Sequence, residues 1–183
     1  MQLTDRELWT LIHGMVLGAL FLLAFGGGLA GLWSLRPKLV TGDGVTERTP
    51  RLLIGTTVMA VVAWLTVITG TWIVYPWYRV APPEGLDLAI QSAELKEFPR
   101  YWLLASEETA KWHEFGMEWK EHVAWLAPFL ATAVAVTVIY YGAQLIRHGE
   151  MRRAALVFLT LAFAAAGIAG LFGALITKSA PVA

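Results

Sequence analysis

The sequence predicts an all-α integral membrane protein, a four-transmembrane-helix bundle with a long extracytoplasmic loop that contains an amphipathic helix. Three observations predict it. Of the 183 residues, 57% are hydrophobic and 15% charged, with a mean hydropathy of +0.57, whereas soluble domains carry about a quarter charged residues. Residues 8–35, 52–78, 123–146 and 154–177 contain no Asp, Glu, Lys or Arg, and each run exceeds the ~20 residues a helix needs to cross the hydrocarbon core. The charges that remain lie in the flanks and connections, as a single membrane domain over residues 1–183 requires.

The first span follows Met1-Gln2-Leu3-Thr4-Asp5-Arg6-Glu7. This flank lacks the basic stretch and small-residue cleavage site of a signal peptide, so the span is read as retained. Thr4 and Glu7 stand at capping-box spacing, each able to cover a free backbone N–H. The span then carries Gly14, Gly18, Gly26, Gly27, Gly28 and Gly31, and the fourth span carries Gly167, Gly170 and Gly173. Small residues let membrane helices approach closely; beside His13, Gly14 and Gly18 also leave room for a flat cofactor such as a porphyrin.

The second span ends in Tyr75-Pro76-Trp77-Tyr78-Arg79, with Pro82-Pro83 beyond. Proline removes a backbone donor and clashes with the preceding turn, so a stop or kink is expected near Tyr75. Residues 79–122 form the long loop. From about Glu107 a helical stripe resumes, with Trp112, Phe115, Trp119, His122 or Val123, and Leu126 on one side and Glu108, Lys111, Glu114, Glu118 and Glu121 off it. Such a helix either lies on the bilayer or runs straight into the third span, with Pro128 as the hinge.

Two short connections, residues 36–51 and 147–153, hold Arg36, Lys38, Arg48, Arg51, Arg147, Arg152 and Arg153, half of the 14 basic residues. Dense Lys/Arg in short loops marks the cytoplasmic side. An inner (cytoplasmic) membrane protein with both termini extracytoplasmic is therefore expected. Trp9, Trp72, Tyr75, Trp77, Tyr78, Tyr101, Trp102, Trp112, Trp119 and Trp125 all fall toward the opposite side. They exceed an interfacial belt and point to a loop folded against the membrane or a partner.

With 14 basic and 14 acidic residues and no basic cluster, nucleic-acid binding is not expected. Zero cysteines exclude thiolate metal ligands, a Cys nucleophile and thioether-linked haem. No charge inside a span is available to couple an ion, which disfavours a small transporter.

The chemistry concentrates at histidine. His13 lies in the first span and His122 at the head of the third, at matched shallow depth, with His113 nine residues earlier; His148 sits among Arg147, Glu150 and Arg152. Two imidazoles at one depth are what bis-histidine ligation of a b-type haem iron requires. Each also has a plainer reading, His13 as a hydrogen bond between helices and His122 as a partner of Glu118 one turn earlier. Around them, Glu114, Glu118 and His122 form one helical stripe and His113, Met117 and Glu121 another, each offering two ligands to a metal such as Zn, Cu or Fe.

On His13 and His122 and the four-span plan, the chain resembles the four-helix membrane cytochrome b subunits of respiratory complexes. That resemblance implies an electron-transfer subunit of a respiratory or photosynthetic-type complex. It would hold one haem b near the extracytoplasmic face and exchange electrons with a quinone walled by the aromatic residues of 75–79 and 119–125. Other membrane or periplasmic subunits would be its partners. The alternative is a non-catalytic accessory subunit that docks onto a larger membrane complex through its aromatic loop.

Overall fold

A computed structural model describes residues 3–180; the first two residues of the N-terminal flank and the last three of the chain lie outside it. Its described residues form helices and connecting turns, with no strand among them. In chain order the helices are α1 (Asp5–Ser34), α2 (Gly42–Tyr78), the short α3 (Pro99–Leu104), α4 (Glu107–Ile146) and α5 (Gly149–Ser179). All but α3 are long and apolar enough to cross a membrane.

The helix ends follow local chemistry. At the start of α1 the Thr4 N–H donates to Glu7 Oε2 at 2.8 Å and the Glu7 N–H donates to Thr4 Oγ1 at 3.2 Å, which completes the capping box. Pro76 does not end α2. A π-helical turn at Gly70–Val74 precedes it, and the helix continues to Tyr78. A wider turn takes up the proline's missing donor and the clash of its ring with the carbonyl one turn back. Pro128 falls in the first turn of the regular segment Leu126–Tyr141, where a helix loses no bond to it. Residues 107–123 are helical, a turn at 124–125 follows, and the regular segment Leu126–Tyr141 comes next.

Contacts divide the chain into two compact units. One comprises Ala19–Leu65 and Leu126–Ala166. Its interior is apolar, with Leu32, Met59, Val134, Val138 and Leu159 fully buried. Thr56 is the exception, and its hydroxyl is satisfied by donating to the Leu52 carbonyl at 2.9 Å. Gly31 earns its place here, since a Cβ would stand 2.9 Å from Leu52 Cδ1, and Gly28 sits in ordinary contact with Leu159 and Thr56. Phe25 stacks on Phe163 at 4.1 Å, and Trp64 donates its indole N–H to Thr132 Oγ1 at 3.0 Å. This unit offers packing and little chemistry.

The other unit comprises Met1–Gly18, Thr66–Trp125 and Gly167–Ala183. A buried cluster of Tyr78, Leu103, Met117, Ile176 and Ala180 forms its core, with Tyr75, Trp102 and Trp112 packed against it. The segment between α2 and α3 folds back through side-chain bonds. Gln91 donates to the Trp102 carbonyl at 2.8 Å, and the Trp102 indole donates to the Ser179 carbonyl at 2.9 Å. Trp102 is therefore committed to this chain's own core and is not free for a partner.

The expected glycine packing is only partly realised. Gly14, Gly18, Gly26, Gly27, Gly167 and Gly170 have nothing within 4 Å of a built Cβ. Those positions are open, so close helix approach is not what they serve within this chain.

Candidate functional site

All four π-helical turns among the described residues lie in the unit that contains both chain ends: Ile12–Val16, Gly70–Val74, Trp112–Met117 and Trp119–Val123. Such turns re-aim side chains and recur at functional sites. Here they carry His13, His113, Lys120, Glu121 and His122.

His13 is half-buried, and its ring lies against Gly70, where a Cβ would come within 2.7 Å of Cε1. Its Nδ1 is 3.2 Å from Thr69 Oγ1, and that hydroxyl donates in turn to the Thr66 carbonyl at 3.1 Å. The ring also reaches the Thr66 backbone, and the direction of its bond to Thr69 follows the imidazole tautomer. Lys120 is the electrostatic neighbour of this ring. Its ammonium fits because residue 173 is glycine, whose Cβ position lies 2.9 Å from Nζ.

A second polar group is built between α2 and α4. The Tyr75 hydroxyl donates to Glu121 Oε1 at 2.6 Å. Tyr78 Oη lies 2.8 Å from His113 Nδ1, and the two phenol rings stack at 6.2 Å. The pairs join residues 46 and 35 positions apart in sequence. Arg100 is within electrostatic reach of both Tyr78 and His113. Its buried Nε has no hydrogen-bond partner among the described residues. Replacing Tyr78 with phenylalanine leaves the His113 nitrogen unpaired beside a buried ring. The expected cost is about 1–2 kcal/mol, measured by denaturant titration in detergent; an unchanged midpoint would show that His113 finds another partner.

The two stripes read from the sequence turn out to be the two faces of one helix. Glu114, Glu118 and His122 face outward and are exposed, while His113, Met117 and Glu121 turn inward. The aromatic stripe is divided: Trp112 packs against the buried cluster, while other members are exposed. Phe115 is 60% exposed and, with Trp119, gathers on Phe172 at 5.5 and 6.2 Å, while the buried positions are Gly116 and Met117. Two successive π-helical turns lengthen the repeat, so a stripe counted at 3.6 residues drifts around the helix.

The three imidazoles of this unit take three different partners: Thr69 for His13, Tyr78 for His113 and Glu118 for His122, whose Nε2 is 3.2 Å from the carboxylate. Ligation of one haem iron by His13 and His122 would require both rings to leave these partners. The Lys120 charge acts on the His13 ring, whereas the His122 side chain is 71% exposed. The open face at Gly14 and Gly18 lines no closed cradle.

No family model, curated protein or solved structure matches this chain. Sequence reasoning missed Lys120, which looked like one more charge on a solvated face, as well as Thr69 and the two tyrosine pairings. The signal available for Lys120 was its place between Trp119 and Glu121 at the head of an apolar span.

Proposed function

We propose that this chain is a membrane-embedded electron-transfer subunit that exchanges electrons and protons with a quinone at the unit carrying both chain ends. The observation that carries the reading is the gathering of hydrogen-bonded proton carriers, His13–Thr69, Tyr75–Glu121 and Tyr78–His113, in one aromatic-rich unit. Ionisable and hydrogen-bonded groups in membrane segments mark proton relays and ligand sites. Interconverting a quinone and its quinol moves two electrons and two protons. His13 is placed to exchange a proton with a quinol, and the Lys120 cation to stabilise the negative charge that develops on the ring oxygen. The electrons pass to or from a carrier in a partner subunit. The dense Lys/Arg of residues 36–51 and 147–153 supports a cytoplasmic location for those connections, and with it an extracytoplasmic location for both chain ends.

The test is a titration of the purified chain in detergent with a short-tailed quinone, followed by tryptophan quenching, beside a reduced-minus-oxidised spectrum. Saturable binding that weakens at least about tenfold, or 1.4 kcal/mol, in both His13→Ala and Lys120→Met is the expected result. Quenching that rises linearly and equally in all three proteins would sink the quinone reading. A b-type haem spectrum lost in His122→Ala would overturn the geometric argument against that ligand pair.

One observation favours the accessory-subunit reading instead. Val80, Leu88 and Ile90 are 47%, 46% and 61% exposed in the segment between α2 and α3, outside the apolar helices. These three side chains, with the exposed Phe115 of the aromatic loop, would be the docking contacts.

A further inference from the structure

We propose that Glu118, Glu121 and His122 form a binding site for a divalent transition-metal ion of the zinc class. It shares the Tyr75–Glu121 pair with the quinone reading but needs neither His13 nor Lys120. One ligand atom from each of the three side chains lies within 4.8 Å of the other two. Zinc binds imidazole nitrogen and carboxylate oxygen at about 2.0–2.2 Å, which sets donors around one tetrahedral ion about 3.4 Å apart. Small rotamer adjustments close that difference.

The spacing explains the convergence. Glu118 and His122 are one turn apart, already 3.2 Å from each other, and Glu121 lies beside them on the π-helical turn Trp119–Val123. Neither stripe counted from the sequence contained this set, because it takes residues from both.

Two features separate the group from an ordinary solvated face. The first is support from another helix: Tyr75 of α2 donates to one oxygen of Glu121 and leaves the second for a metal. Hydrogen bonds that orient a ligating carboxylate are the usual outer shell of a metal centre. The second is carboxylate charge without a direct basic partner, Arg79 reaching the Tyr75 hydroxyl instead. Among the described residues neither Glu118 nor Glu121 makes an ion pair with Lys or Arg, and Glu114 adds a third carboxylate one turn earlier. Arg79 lies over the Tyr75 ring at 5.4 Å, and Lys120 points toward Gly173.

A mixed nitrogen–oxygen donor set suits zinc, copper or iron better than magnesium or calcium, which take oxygen alone. His122 would exchange its contact with Glu118 for the ion, binding as the neutral ring. Water would fill the remaining positions.

The probes are Zn2+ for calorimetry and Co2+ for its visible d–d absorption, each added alone to the metal-free full chain in detergent. Saturable binding of one ion per chain is expected. It should weaken at least about tenfold in His122→Ala and in Glu118→Gln, and by about tenfold in Tyr75→Phe through the lost outer-shell bond. Glu108→Gln, on the same helix outside the cluster, should bind as the wild type does. His122 and Glu118 are exposed, so these variants keep the fold, and circular dichroism checks it. Absence of saturable Zn2+ binding, or equal binding in His122→Ala and Glu118→Gln, overturns the proposal.

Discussion

Replacing Trp102 with alanine should free the segment between α2 and α3 and cost the unit around it about 3–4 kcal/mol. Two roles combine in this side chain. Its ring packs on the buried cluster of Tyr78, Leu103, Met117, Ile176 and Ala180. Its indole N–H donates to the carbonyl of Ser179, the last residue of α5, at 2.9 Å. The final carbonyls of a helix have no partner within it, so Trp102 satisfies one that would otherwise depend on water. Trp102→Phe separates the roles: the hydrogen bond is lost and most of the packing stays, for a cost of about 1 kcal/mol. Limited proteolysis of the folded chain reads the outcome. Cleavage within residues 79–98 should accelerate strongly in the alanine variant and slightly in the phenylalanine variant, while total helicity is unchanged. Equal cleavage rates in all three proteins would mean that Gln91 and Leu95 hold the segment without the indole.

The spans were legible in the sequence because a membrane imposes a composition. Runs such as 52–78 and 154–177 exclude charge over a length that only a crossing helix explains. The Thr4–Glu7 cap was legible for a similar reason, since both partners lie within one turn. What could not be read depends on contacts across sequence distance or on irregular helical register. Tyr78 and His113 are 35 residues apart, and no periodicity links them. The π-helical turns at Trp112–Met117 and Trp119–Val123 changed which side chains of α4 share a face. Along that path His122 is exposed and paired with Glu118, while His113 and Glu121 pair with the tyrosines of α2. The proline signal was legible to within a turn: the helix becomes irregular at Gly70–Val74 and ends at Tyr78, close to the stop or kink expected near Tyr75.

Substituting Gly70 with valine should destabilise the protein by about 2–3 kcal/mol, although glycine is itself a poor helix former. Removing a glycine from a helix interior ordinarily gains up to about 1 kcal/mol, the full amount for alanine and less for valine. At Gly70 that gain meets a rigid obstacle. A Cβ there would stand 2.7 Å from His13 Cε1 and within 3.4 Å of both ring nitrogens. An imidazole cannot fold away as the end of a leucine can, so the ring must move and loosen its bond to Thr69. Overpacking of this kind costs about 1–3 kcal/mol, and the disturbed hydrogen bond adds about 1 kcal/mol. The steric term wins. Two comparisons isolate it. Gly14→Ala, at a position with nothing within 4 Å, should be neutral or stabilising. The double variant Gly70→Val with His13→Ala should recover most of the loss, because deleting the ring removes the obstacle, a non-additivity that a double-mutant cycle reads directly. Simple additivity of the two changes would show that Gly70 is needed for the π-helical backbone itself and not for the approach of His13.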